Sequence, residues 1–188
     1  MKKRGTDALI VVVCFFIVCL VSCLAQGGEE RLLDLPPELR THNYARGSCC
    51  HAALIDLLRW HGDHEAAEKW KEKYSGAQAV AGGRNGGLAE KLEAAGFRYA
   101  YTTNGDEKFL EWCSRNRHGA VIHYYVGHAV TFRGYADGFA ILQNNNNPDR
   151  VIRVKKADFI KRWKGYGGCA LTLVYNPYPP APRLEGTK

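Results

Sequence analysis

Apolar and polar positions along this chain follow two periods, and the change falls near residue 120. Leu54, Leu57 and Leu58 recur at helical spacing, which predicts a helix from Ala52 to Trp60 that ends at His61-Gly62. Ser48 is the residue expected to cap it, and Cys49 and Cys50 fall in its first turn. Cys50 precedes Leu54 by four positions and shares its apolar stripe, whereas Cys49 is turned off that stripe. Asp63 is placed to cap a second helix, Glu65 to Tyr74, with Trp70 on its inner side. Further helices are expected at Leu88 to Ala95, Glu107 to Asn116 and Asp158 to Trp163. Alternation with period two predicts strands at Phe97 to Thr102, Ala120 to Tyr125, His128 to Tyr135, Phe139 to Leu142, Val151 to Val154 and Gly168 to Tyr175. Asp137-Gly138 marks a tight hairpin, and Asn144 to Asn147 reads as a loop after a strand. Helices first and antiparallel strands last describe an α+β fold.

The two ends differ from this pattern. Lys2, Lys3 and Arg4 precede an almost uninterrupted apolar run, Ala8 to Leu20, which is the layout of an export signal. Leu20-Val21-Ser22-Cys23 has the form of a lipobox, with Cys23 as the lipidation candidate. Cleavage after Ala25, or an uncleaved membrane anchor, are the alternatives. Residues 1–23 are therefore assigned to a signal or anchor, 24–40 to a polar, proline-broken linker, 41–176 to the domain and 177–188 to a proline-rich tail. The implied location is exported, either secreted or held at the membrane through the N-terminal segment or its lipid.

With 188 residues and 46% hydrophobic content, the chain supports one domain with a substantial core. Its formal charge of +7 comes partly from the first residues, and no long basic block follows, which argues against a nucleic-acid partner. Setting aside Cys14, Cys19 and Cys23, four cysteines remain: Cys49, Cys50, Cys113 and Cys169. Cys113 and Cys169 read as small buried hydrophobes, with a bridge between them as the alternative. Cys49, Cys50, His51, His61 and His64 lack the pairing of a zinc site, so no metal or cofactor is expected, and His51 and His64 read as exposed helix positions.

A thiol at a helix start, followed much later by a strand-opening His128 and a polar amide at Asn144, is an arrangement suited to nucleophilic catalysis. Asn43 stands six residues ahead of Cys49, in the start Gly47-Ser48-Cys49. This stretch resembles the papain-type signature, in which that upstream position is a Gln. His128-Ala129-Val130, Asp137-Gly138, Ile141 to Asn144 and Asp158 to Tyr166 are similar to the bacteriocin-leader, or double-glycine, peptidase-like branch of the papain superfamily. The resemblance covers residues 41–175. It implies a papain-like domain whose nucleophile helix, in an N-terminal helical part, packs on a C-terminal antiparallel sheet. It further implies Cys49 as nucleophile, His128 as base and acid, and Asn144 as the orienting residue, with Asn145 as its alternative. Asn43 then takes the place of the oxyanion donor, on a shorter stem than Gln. The implied activity is a cysteine peptidase or amide hydrolase working through a thioester on a peptide or protein substrate. The alternatives are a transglutaminase-like acyl transferase and a degenerate domain that binds peptides without cleaving them.

Overall fold

In the computed structural model, which describes residues 34–76 and 87–175, the period-two half of the chain forms most of a six-stranded sheet. Its strands are β1 (Tyr99–Thr102), β2 (Ala120–Tyr125), β3 (His128–Ala136), β4 (Phe139–Asn144), β5 (Asn147–Lys155) and β6 (Ala170–Leu173). They lie in the order β1-β6-β2-β3-β4-β5 and every neighbouring pair is antiparallel. The helices are α1 (Cys49–Trp60), α2 (His64–Lys73), α3 (Leu88–Ala94), α4 (Glu107–Arg115) and α5 (Lys156–Gly165). The α+β class expected from the sequence is the class observed. The export segment and the proline-rich tail lie outside the described residues, as does most of the glycine-rich stretch around Gly82 and Gly83.

Alternation along the strands divides the core in two. Val121, Ala129, Leu171 and Leu173 face α1, α2 and α3, whereas Ile122, Tyr124, Val130 and Phe132 pack with Leu110 of α4 and Phe159 and Trp163 of α5. Seven consecutive residues of β3 are buried because both faces of this central strand are covered. The helix α1 is also enclosed: of its twelve residues only Arg59 is not buried. Leu54, Ile55, Leu57 and Leu58 are fully buried there, and each contributes roughly 1.5–3 kcal/mol through removal from water.

That enclosure moves His51 from the surface, where the sequence placed it, to the interior. α2 folds back over this side of α1, so His51 stacks on Tyr74 at 4.7 Å and its Nδ1 accepts the Trp70 indole N–H at 2.9 Å. Burial pushes the His51 imidazole down to about 4 and keeps it neutral. His61 is likewise buried and pushed down to about 4, with its Nε2 3.3 Å from the His118 carbonyl. His118 is buried as well and displaced in the same direction by the same cause.

Three further expectations are corrected. Ser48 occupies the N-cap position of α1 but makes no capping bond, because its hydroxyl is engaged by the preceding loop. Asn145 and Asn146 make the turn of a hairpin in which Asn144 pairs with Asn147, so β5 begins there instead of at Val151. Pro148 fits because β5 is an edge strand, where a missing N–H breaks no ladder. Within the stretch read as linker, residues 34–40 pack onto the domain, with Leu35 buried in the α1 core and Arg40 bonded to the Leu35 and Pro148 carbonyls. The Asp137-Gly138 hairpin forms as expected, both residues taking the positive φ that a type I′ turn requires. All four domain cysteines are free, so Cys113 and Cys169 are not bridged.

The loops flanking α4 and α5 cross where Gly105 N–H donates to the Gly168 carbonyl at 3.1 Å. A Cβ on Gly168 would lie 2.4 Å from the Gly105 backbone, and its φ of +61° already disfavours a side chain. Gly168→Ala is therefore expected to destabilise the fold by about 1–3 kcal/mol, read as a lower urea midpoint at unchanged slope.

Candidate active site

The start of α1 is held by the loop before it. Ser48 Oγ accepts the backbone N–H groups of Tyr44 and Ala45 at 3.2 and 3.0 Å, and its hydroxyl meets Asn43 Oδ1. Gly47 turns the chain with φ of +80°, and Cys49 emerges as the first helical residue, 6% exposed. The unsatisfied N–H groups of a helix start favour an anion at this position.

The sheet brings partners to the sulfur. The Ala129 N–H points at Cys49 Sγ from 3.4 Å, and the His128 side chain is its partner from the same strand. Cys49 is held down to about 4: the Cys50 hydrogen bond lowers it most, burial opposes, and the His128 bond, the Ala129 N–H and the His128 charge lower it further. His128 is raised above its usual value by the Cys49 bond first, against burial, with the Asn144 bond acting in the same upward sense. The pair thus favours thiolate and imidazolium.

The hairpin turn between β4 and β5 fixes both members of this pair. Asn144 Oδ1 lies 2.8 Å from His128 Nε2, so the other ring nitrogen is left for Cys49. Asn145, the alternative orienting residue, points elsewhere: its Nδ2 donates to the Cys49 carbonyl at 2.9 Å and the Ala129 carbonyl at 3.1 Å. A register shift between Gln143 and Asn144 accompanies this division of successive side chains between two tasks. Asn43 joins the same turn, with its N–H on the Asn145 carbonyl at 2.8 Å and its Nδ2 on Asn146 Oδ1 at 3.1 Å. Cys49, His128, Asn144, Asn145 and Asn43 are all brought together here.

Several supporting residues escaped the sequence reading. Asp56, 1% exposed on α1, accepts the Thr41 N–H at 2.7 Å and the Gln143 amide at 2.5 Å, which locks α1 to the end of β4. Burial pushes its carboxyl up to about 7, with Thr41 opposing. A lone acid inside the apolar run from Ala52 to Leu58 was the available signal. Cys50 is buried on the core stripe, as its spacing from Leu54 predicts, and its Sγ lies 3.9 Å from His123 Nε2.

Among the aromatic residues, Tyr125 stands 6.0 Å from the His128 ring, while Tyr124 and Tyr166 line a groove of about 570 Å³ with Lys161 and Arg162. Tyr124 belongs to the opposite face of the sheet from Cys49. Among the described residues no group of three His, Cys, Asp or Glu is arranged to hold a metal ion.

No family model and no curated protein matches the sequence. Solved structures do match the fold. The peptidase domain of Streptococcus ComA, a bifunctional ABC transporter involved in a quorum-sensing pathway, is 17% identical over 71% of this chain and 96% of its own, with a TM-score of 0.52. The same domain from Streptococcus mutans is 16% identical over 73% and 99%, with a TM-score of 0.48. A double-glycine-motif protease from an AMS/PCAT transporter, solved in complex with the leader peptide, is 15% identical over 79% and 94%, with a TM-score of 0.47. The chain has the α+β, papain-like fold of the Streptococcus ComA peptidase domain.

The two asparagines make different predictions. Asn145→Ala removes the side-chain donor from the buried Ala129 carbonyl and a second donor from the helical Cys49 carbonyl, and is expected to cost about 1–3 kcal/mol in chemical denaturation. Asn144→Ala is expected to leave the denaturation midpoint nearly unchanged, and to lower the His128 titration midpoint observed by NMR.

Proposed function

We propose that this chain is an exported cysteine peptidase or amide hydrolase that works through a thioester on Cys49. The observation that supports this most is the convergence of Cys49, at the start of α1, with His128 and Asn144, the amide oxygen on the far ring nitrogen, within a peptidase-domain fold; the lowered Cys49 and raised His128 values agree with it. The Cys49 thiolate attacks the substrate carbonyl, and the negative charge passes to the carbonyl oxygen. The Cys49 backbone N–H and the Asn43 amide are the donors assigned to that oxygen. One Asn43 N–H is committed to Asn146, so the second is the one available for this role. His128 then protonates the leaving amine as the tetrahedral adduct collapses to the thioester. In its neutral form it next takes a proton from water, which attacks and releases Cys49. If a substrate amine enters before water, the same thioester gives acyl transfer. The substrate is a peptide or protein, met outside the cell or at the membrane that the N-terminal segment reaches.

The pH window follows from the two shifts. Thiolate is present above about 4 and lost below it, while the imidazolium persists to above its ordinary 6.5 and is lost beyond. Brief treatment with iodoacetamide at pH 6, mapped by mass spectrometry, is expected to label Cys49 well before Cys113, whose thiol burial pushes up. His128→Ala is expected to slow Cys49 labelling at this pH by at least about tenfold. Peptide-library hydrolysis is expected to vanish in Cys49→Ala. Equal labelling of the two cysteines, unaffected by His128→Ala, would contradict the proposal. Selective labelling without any turnover would point to a peptide-binding domain whose Asn43 does not serve the oxyanion.

A further inference from the structure

Of the four consecutive asparagines, Asn146 is the one whose side chain has no task in the chemistry above. Asn144 orients His128, Asn145 ties α1 to β3, and Asn147 opens β5. Asn146 sits exposed in the turn, yet two bonds connect it to both arms of the site. Its backbone N–H donates to Asn144 Oδ1 at 3.0 Å, the same oxygen that meets His128 Nε2. Its side-chain Oδ1 accepts from Asn43 Nδ2 at 3.1 Å.

Asn43 is a short side chain with a directional role, so what holds its amide matters. Ser48 Oγ already accepts the N–H groups of Tyr44 and Ala45, and the Asn43 carboxamide therefore meets this hydroxyl with its oxygen. That contact leaves Nδ2 toward the β4–β5 turn, where Asn146 Oδ1 takes one of its two protons. A carboxamide is planar, so fixing its oxygen and one N–H also fixes the direction of the second N–H. The Asn43 backbone is held at the same turn, through its N–H on the Asn145 carbonyl at 2.8 Å. Asn145 in turn donates to the Cys49 carbonyl, which places donor and nucleophile on one frame. Without Asn146 the amide keeps only its contact with Ser48 and is free to swing about it.

We infer that Asn146 is a positioning residue for the oxyanion donor: its side-chain oxygen holds the Asn43 carboxamide in an orientation that keeps one N–H free for the substrate carbonyl oxygen. The inference rests on the hydrolase reading given above, with Asn43 as a donor to that oxygen. Asn146 touches neither substrate nor sulfur, and no covalent bond to it forms or breaks. Facing solvent, its bond to Asn43 adds little to fold stability. Its effect is preorganisation, because a donor that has to turn into place during attack stabilises the developing charge less.

The test compares two reactions of Cys49 near pH 6, in the full chain in detergent. Acetylation by p-nitrophenyl acetate joins the sulfur to the carbonyl carbon, develops charge on the carbonyl oxygen and expels p-nitrophenolate, whose release is followed by absorbance. Alkylation by iodoacetamide displaces iodide at a methylene carbon and develops no oxyanion. Cys49→Ala supplies the blank for both. Asn146→Ala is expected to lower the acetylation rate about tenfold, while alkylation and the denaturation midpoint stay at wild-type values. Asn146→Ser, whose hydroxyl ends short of Asn43 Nδ2, is expected to behave alike and supplies the answer should Asn146→Ala fold poorly. In an Asn43→Ala background, itself slow in acetylation, removing Asn146 is expected to change nothing further. Unchanged acetylation in Asn146→Ala, an equal fall in both reactions, or a further fall in the double variant would overturn the inference and leave the hydrolase reading standing. Asn43→Ala acetylated as fast as wild type would also overturn it, with the Cys49 N–H left as the donor. A wild-type Cys49 that reacts with neither reagent faster than Cys113 would overturn both.

Discussion

The Asn145 carboxamide is the interaction on which the site depends. Its two N–H groups satisfy the carbonyls of Cys49 and Ala129, residues that belong to a helix and a strand far apart in the chain. Ala129 in turn points its own N–H at the Cys49 sulfur. One side chain therefore sets the distance between the start of α1 and the start of β3, and with it the approach of thiol to imidazole. Because the amide is buried, its bonds are not exchanged for water, and losing them takes a donor from the Ala129 carbonyl and the tie between that strand and the start of α1. Asn144, its neighbour, orients the imidazole from the same turn, so the placement of Cys49 and the orientation of His128 share one rigid origin.

Cys49 and His128 sit where the Ala129 N–H donates to the sulfur and Asn144 Oδ1 accepts from the imidazole, which is the condition under which a partly buried pair holds together. The nearby Asp56 carboxyl, fully enclosed, is pushed up to about 7 and placed between Thr41 and Gln143. It serves as an acceptor that ties α1 to β4.

The sequence made the strands around the site legible because local pattern and burial agree there: Ala120 to Tyr125 alternates and forms β2 with those bounds. The Asp137-Gly138 turn was legible for a similar reason, since its backbone requirement is local. The order of Cys49, His128 and Asn144 was visible through spacing and resemblance. What escaped depends on partners far along the chain. Ser48 has the chemistry of a cap, but Tyr44 and Ala45 compete for its hydroxyl. Asn147-Pro148 looks like a loop, yet an edge position beside β4 accepts it as a strand. Asp56, Gln143 and His51 acquire their meaning from burial, which no pattern within α1 or β4 announces.

Burial of His51 has a consequence that reaches past packing, and it is shared by His61, His118 and His123. Each is displaced downward by loss of water, His51 and His61 to about 4. An unfolded chain binds protons at these rings as pH falls below about 6.5, whereas the folded chain refuses them. Their stabilising contribution is complete above that value and drains away as pH falls toward about 4. Asp56 runs the other way: protonated in the folded chain up to about 7, its contribution declines as pH rises from its ordinary 3.8, but it is one group against four. On the acid side these imidazoles therefore withdraw stability from the fold across the interval in which the Cys49 thiol is still held deprotonated, down to about 4.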